Sequence, residues 1–211
     1  MTWCLKYLTR DPKLQSTLRK EISAALPIAT PSLESIKDTK IPYLDAFIEE
    51  LLRHCQPAPF VSRGALVDTE ILGYKIPKDT EVFFATNAAS ILQPAYSIDE
   101  KLRSTTCRTA VSRIGSWDPS DIGAFKPERW LKTDEKGEMY FDPKAGPILA
   151  FGLGSRGCFG KRLAYQQLRL LIVLLATTFA LLEVPEELGS MKAVQKLVRG
   201  PEQCYVRLRR L

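Results

Sequence analysis

The ten residues Phe151-Gly152-Leu153-Gly154-Ser155-Arg156-Gly157-Cys158-Phe159-Gly160 constrain this chain more than any others. They set one cysteine in a glycine-rich loop directly ahead of an apolar segment that reads as a helix from about Lys161 to Phe179. Gly154, Gly157 and Gly160 are free to adopt positive φ and let the backbone approach a flat ligand. Amides at the helix start, together with Arg156, favour the thiolate of Cys158, the form that binds metal. The plainer alternative is a structural cysteine buried in a tight turn.

The spacing F-x-x-G-x-R-x-C-x-G is matched at every fixed position and resembles the haem-thiolate signature of the cytochrome P450 family. That resemblance implies Cys158 as the proximal ligand of iron in haem b (iron protoporphyrin IX). Phe151, Gly154, Arg156 and Gly160 are then expected to border the cofactor, with Phe151 packed near the sulfur. In the family, a thiolate ligand pushes electron density that favours O–O cleavage.

Glu50 and Arg53 lie three residues apart on one expected helix, which by itself is the pattern of a surface ion pair. Their order along the chain gives them weight. Glu50-x-x-Arg53 precedes Pro57, Pro59 and Arg63, then short strands, then Phe125-Lys126-Pro127-Glu128-Arg129-Trp130, then the cysteine loop. This succession resembles the second half of a cytochrome P450. The resemblance implies a buried network of Glu50, Arg53 and Arg129 under the haem, with Arg63 and Arg156 binding its propionates. His54, directly after Arg53 and off the apolar stripe, is expected to be an exposed helix-end residue rather than an iron ligand.

Composition narrows the function classes. The chain has 211 residues, enough for one substantial core, and its net charge of +6 suits an acidic partner or an anionic surface. The basic residues are scattered without a nucleic-acid motif, so nucleic-acid binding is not expected. Five widely spaced cysteines form no C-x-x-C pair and suggest a reducing compartment, and a single histidine excludes a histidine-rich metal site. No signal peptide or membrane anchor is expected within the chain. If it is family-like, it belongs in the cytosol or at the cytosolic face of the endoplasmic reticulum.

Apolar periodicity gives the expected fold class: mainly α with small β-sheets, the proximal C-terminal half of the cytochrome P450 fold by resemblance. Residues 1–60 read as helices, including Leu14, Leu18, Ile22 and Leu26 on one face up to Pro27. A second stripe, Leu44, Phe47, Ile48, Leu51 and Leu52, follows Pro42. Residues 61–98 read as β-rich, with the change of period at Gly64, and 99–121 as a polar surface insertion without chemistry. Residues 122–160 hold the P-E-R-W turn, a polar loop from Thr133 to Pro147, and the cysteine loop. Residues 161–211 hold the long helix and a half-buried strand from Cys204 to Arg209. The stretch Val61 to Glu70 and the insertion resemble filamentous-fungal members.

Three functions follow. The first is a haem-thiolate monooxygenase that oxidises a small organic substrate with O2 and electrons from NADPH–cytochrome P450 reductase, in secondary metabolism. On this reading the chain is expected to be truncated, starting after the family's acid–alcohol pair. Lys161, Arg162 and Arg169 would dock the reductase. The second is a catalytically incompetent haem-binding or partner-binding module. The third is a hydrolase or other globular protein in which the motifs coincide by chance.

Overall fold

A computed structural model describes residues 1–26, 31–196 and 198–211. Helix α1 (Thr2–Arg10) leads into α2 (Pro12–Ala25) through a cap that the sequence announces. Asp11 accepts the Leu14 N–H at 2.9 Å, and Pro12 occupies the first turn, where its missing N–H would have been unpaired anyway. Leu14, Leu18 and Ile22 are buried along one face. The helix ends at Ala25; the expected stop at Pro27 lies outside the described residues.

Ser32 caps the short α3 (Leu33–Asp38), and Pro42 opens α4 (Pro42–Cys55). The expected stripe of α4, from Leu44 to Leu52, is buried and forms the centre of the core. Each such side chain contributes about 1.5–3 kcal/mol by leaving water. Around α4 pack α1, α2, the 3₁₀ turn Pro127–Trp130 and α6 (Lys161–Thr178), whose Ile172, Val173 and Ala176 are buried. Helix α4 ends on Gln56 at φ 37°, a left-handed position usually given to glycine. Gln56 Nε2 donates back to the Arg53 carbonyl at 3.0 Å, a local bond that offsets part of the strain.

The strands are short and, among the described residues, form only antiparallel pairs. Strand β1 (Phe60–Gly64) pairs with β4 (Glu81–Ala85), placing Arg63 opposite Val82, and β2 (Thr69–Ile71) with β3 (Tyr74–Ile76) makes a hairpin between them. β1 thus begins ahead of the period change expected at Gly64. Within the insertion, α5 (Thr105–Val111) buries none of its residues.

Two expectations fail here. The polar loop after Thr133 contains a hairpin, β5 (Leu131–Thr133) with β6 (Met139–Phe141). Asp134 closes its turn by accepting the Lys136 and Glu138 N–H groups. Three-residue strands are too short to show a period of two. The C-terminal strand is also not half-buried. β10 (Arg207–Arg210) starts after Cys204 and Val206, and all four of its residues are exposed. It is the outer partner of β7 (Phe179–Leu182), whose Ala180 and Leu181 face the core. The remaining pair is β8 (Ala193–Gln195) with β9 (Arg199–Pro201).

The fold is mainly helical with small sheets, as expected. No helix among the described residues is long and apolar enough to cross a membrane.

Candidate functional site

Glu50, on the side of α4 that faces the 3₁₀ turn, is fully buried and collects donors from α4 itself and from the segment Lys126 to Trp130. Arg53 approaches it bidentately, Nε to Oε2 at 2.8 Å and Nη2 to Oε1 at 2.7 Å. Arg129 Nε donates to Oε1 at 3.1 Å, the Lys126 backbone N–H to the same oxygen at 2.8 Å, and Trp130 Nε1 to Oε2 at 2.9 Å. Burial pushes the carboxyl pKa up, but hydrogen bonds from Arg53 and His54 outweigh it and bring the group down to about 2. A buried carboxylate saturated with donors in this way is anchored, not reactive.

The arginines are themselves satisfied. Arg53, with no exposed surface, also donates to the carbonyls of Ile91, Ile122 and Ala124. Arg129 reaches Asp121 Oδ1 at 3.0 Å and the carbonyls of Asp121 and Ala124. The network therefore ties α4 to the segment from Ile122 to Trp130, which leads toward the cysteine loop.

Two neighbours depart from expectation. His54 is not an exposed helix end: its side chain is 9% exposed, with Nε2 2.8 Å from Arg53 Nη2 and 3.3 Å from Glu50 Oε1. Its ring packs against Tyr7 and Phe125, which close over the end of α4. The insertion also takes part in the network through Trp117. That ring lies 5.4 Å from the Arg53 guanidinium and 5.6 Å from that of Arg129, and meets Trp130 edge-on at 4.7 Å. The only signal for it in the sequence is one large aromatic at the end of an otherwise polar stretch.

The cysteine loop follows the segment from Ile122 to Trp130 in the chain and leads into α6. Gly152 at φ +66° and Gly154 at φ +69° make its left-handed turns. Gly157 at φ −59° and Gly160 at φ −77° do not, contrary to expectation. Gly157 gives clearance instead, since a Cβ there would crowd the Gly154 carbonyl oxygen at 3.2 Å. The Phe151 carbonyl accepts the Cys158 N–H at 2.8 Å, pinning the cysteine backbone across the loop. Cys158 is exposed, with the exposed apolar side chains of Leu153 and Phe159 in the same loop. By contrast, Cys4 is buried and Cys55 half-buried, and desolvation pushes both thiols up, Cys4 to about 12.

Arg156 in the loop and Arg63 on β1 are both exposed, and Arg63 bonds only the neighbouring Ser62 carbonyl among the described residues. Neither joins the Glu50 network. Lys161 and Arg162 are exposed at the start of α6. Arg169 is not the free cation expected of a docking residue. Its guanidinium is held by Asp45 and by the carbonyls of Ile36 and Thr39.

Known proteins place this arrangement. The chain is 43% identical over 98% of its length to the cytochrome P450 monooxygenase TRI13 of Fusarium sporotrichioides, of which it spans 38%. It is 38% identical over 99% of its length to the Hps1-dma1 cluster cytochrome P450 monooxygenase cyp3.1 of Dothistroma septosporum, of which it spans 71%. The crystal structure of a cytochrome P450 (CYP102L1) superposes on 99% of the chain with a TM-score of 0.72 at 26% identity, and the chain spans 41% of it. The cytochrome P450 family model matches residues 1–91 and 121–207, leaving most of the expected insertion unmatched. The chain therefore belongs to the cytochrome P450 family.

Proposed function

We propose that this chain forms the proximal half of a haem-thiolate monooxygenase, with Cys158 as the iron ligand. The observation that carries the reading is an exposed thiol whose backbone is pinned at 2.8 Å by Phe151, on a scaffold locked by one buried carboxylate and two arginines. The residues fit haem b by the chemistry of their donor set. A lone exposed thiolate ligand with exposed apolar side chains and a cation in the same loop suits a haem, which brings its own nitrogens to the iron. When bound, haem supplies the activation of dioxygen.

The chain's own residues do the rest. Cys158 would hold the iron, and Leu153 and Phe159 would offer apolar surface to the ring. Arg63 and Arg156 are the cations for the two propionates. Glu50, Arg53 and Arg129 touch no reacting atom; they keep the loop's support rigid. Lys161 and Arg162 offer positive charge to an acidic electron donor such as NADPH–cytochrome P450 reductase. The substrate is a small organic molecule, and the cluster named for the Dothistroma relative supports a place in fungal secondary metabolism. Five free cysteines suit a reducing compartment.

Reconstitution with hemin tests this. Reduced under carbon monoxide, the wild-type chain should give the red-shifted Soret band of thiolate ligation, and Cys158→Ala should lose it. A variant that keeps the band refutes the assignment. The alternative, a haem-holding module without turnover, predicts the same band but no substrate-dependent NADPH consumption when reductase is present.

A further inference from the structure

Glu49, the residue beside Glu50, points to a different part of the molecule. It is 9% exposed and meets α6, where the Tyr165 hydroxyl donates to its Oε1 at 2.5 Å. Its Oε2 is buried and has no partner among the described residues. A buried carboxylate with one oxygen unsatisfied is costly to retain as mere packing. Tyr165 keeps its proton and acts as the donor: burial first, then the charge of Glu49, pushes its hydroxyl well above the usual phenol range.

The Tyr165 ring in turn packs against Phe151, with centroids 5.5 Å apart and planes tilted by 37°. Phe151 is the residue whose carbonyl accepts the Cys158 N–H. Two adjacent carboxylates of α4 therefore bond different parts of one scaffold. Glu50 fastens the segment that leads in, and Glu49 reaches the cysteine loop through Tyr165 and Phe151.

We propose that the Glu49–Tyr165 hydrogen bond is a positioning clamp that holds Phe151, and through its carbonyl the Cys158 backbone, in the conformation that presents the sulfur. The clamp rests on the haem-thiolate reading for its purpose, but its mechanical effect is measurable without haem. Tyr165→Phe removes only the hydroxyl. Glu49→Gln keeps an oxygen able to accept it.

Amide exchange of the 211-residue chain, without haem, decides the matter. In Tyr165→Phe the amides of Gly157 and Cys158 should exchange about tenfold faster, the weight of roughly one hydrogen bond, while those of α2 keep their wild-type rates. Glu49→Gln should stay near wild type. Unchanged exchange in the loop overturns the clamp, and so does equal acceleration of loop and α2, which would mark a purely global stabiliser. If Tyr165→Phe does not fold, Glu49→Leu removes the bond from the other side and is judged in the same way. The carbon monoxide spectrum of the wild-type chain reports separately on the haem reading. A chain that lacks the thiolate band sinks that reading and leaves the exchange rates to decide the clamp.

Discussion

The indole N–H of Trp130 donates to Glu50 Oε2 at 2.9 Å, although the two residues are eighty positions apart and both are fully buried. The bond makes the tryptophan of the P-E-R-W turn a polar partner as well as packing. Trp130→Phe keeps an aromatic ring but leaves Oε2 with the Arg53 bond alone. We expect a loss of about 1–3 kcal/mol in urea unfolding, against little change for an exposed aromatic such as Tyr74→Phe. A loss below about 0.5 kcal/mol would show that the indole bond adds nothing net.

Acid should protonate Glu50 only after carboxylates of ordinary pKa, and that protonation removes the stability tied to its charge. Its folded pKa is depressed to about 2 against an ordinary value of 4.5, so its contribution is fully present above 4.5 and is lost as pH falls toward 2. That contribution is on the order of 3 kcal/mol. Glu50→Gln should therefore be destabilised at neutral pH and should lack this part of the acid-induced loss. Stability curves of the two proteins against pH should converge near pH 2; parallel curves would exclude the linkage.

Glycines in the cysteine loop should rank by geometry. Gly160→Ala places a Cβ 3.8 Å from the Cys158 sulfur, an ordinary contact that the fold tolerates. Gly154→Ala meets no atom within 4 Å but must hold φ +69°, which costs about 1–2 kcal/mol. Gly157→Ala presses on the Gly154 carbonyl oxygen and should disturb the loop itself. Thermal unfolding and haem uptake measured together separate these cases. The prediction fails if Gly160→Ala is the most damaging to stability.

Charge reversal distinguishes docking from structure among the basic residues of α6. Lys161→Glu and Arg162→Glu should raise the KM for an acidic reductase, most visibly at low salt, and leave unfolding nearly unchanged. Arg169→Glu should instead destabilise the fold, because it faces Asp45 and two carbonyls that need a donor. Equal KM effects at all three positions, with unfolding unchanged, would contradict this division.

The helices of the core were legible because their information is local. The apolar spacing in α2 and α4, the Asp11 cap and Pro42 each act within a few residues of themselves. Glu50, Arg53 and Arg129 were legible through the order of motifs, not through any local signal. What escaped is what depends on distant partners. Nothing near Trp117 announces that two guanidiniums will lie beside it, and nothing near His54 that Tyr7 and Phe125 will cover it. Arg169 reads as a free surface cation until α3 brings its carbonyls alongside. Gly157 and Gly160 look like turn formers, yet one is small for clearance and the other caps a helix.

The unequal burial of the cysteines has a consequence for biogenesis. Cys4 is buried and Cys55 half-buried, both with raised pKa, and Cys107 and Cys204 are half-buried, whereas Cys158 is exposed, so an oxidant or a second copy of the chain encounters Cys158 first. If Cys158 is the iron ligand, the newly made polypeptide is in a race. The macrocycle must arrive before sulfenylation or intermolecular coupling removes the ligand, and haem supply and cellular redox state would together set how much of the protein ever matures.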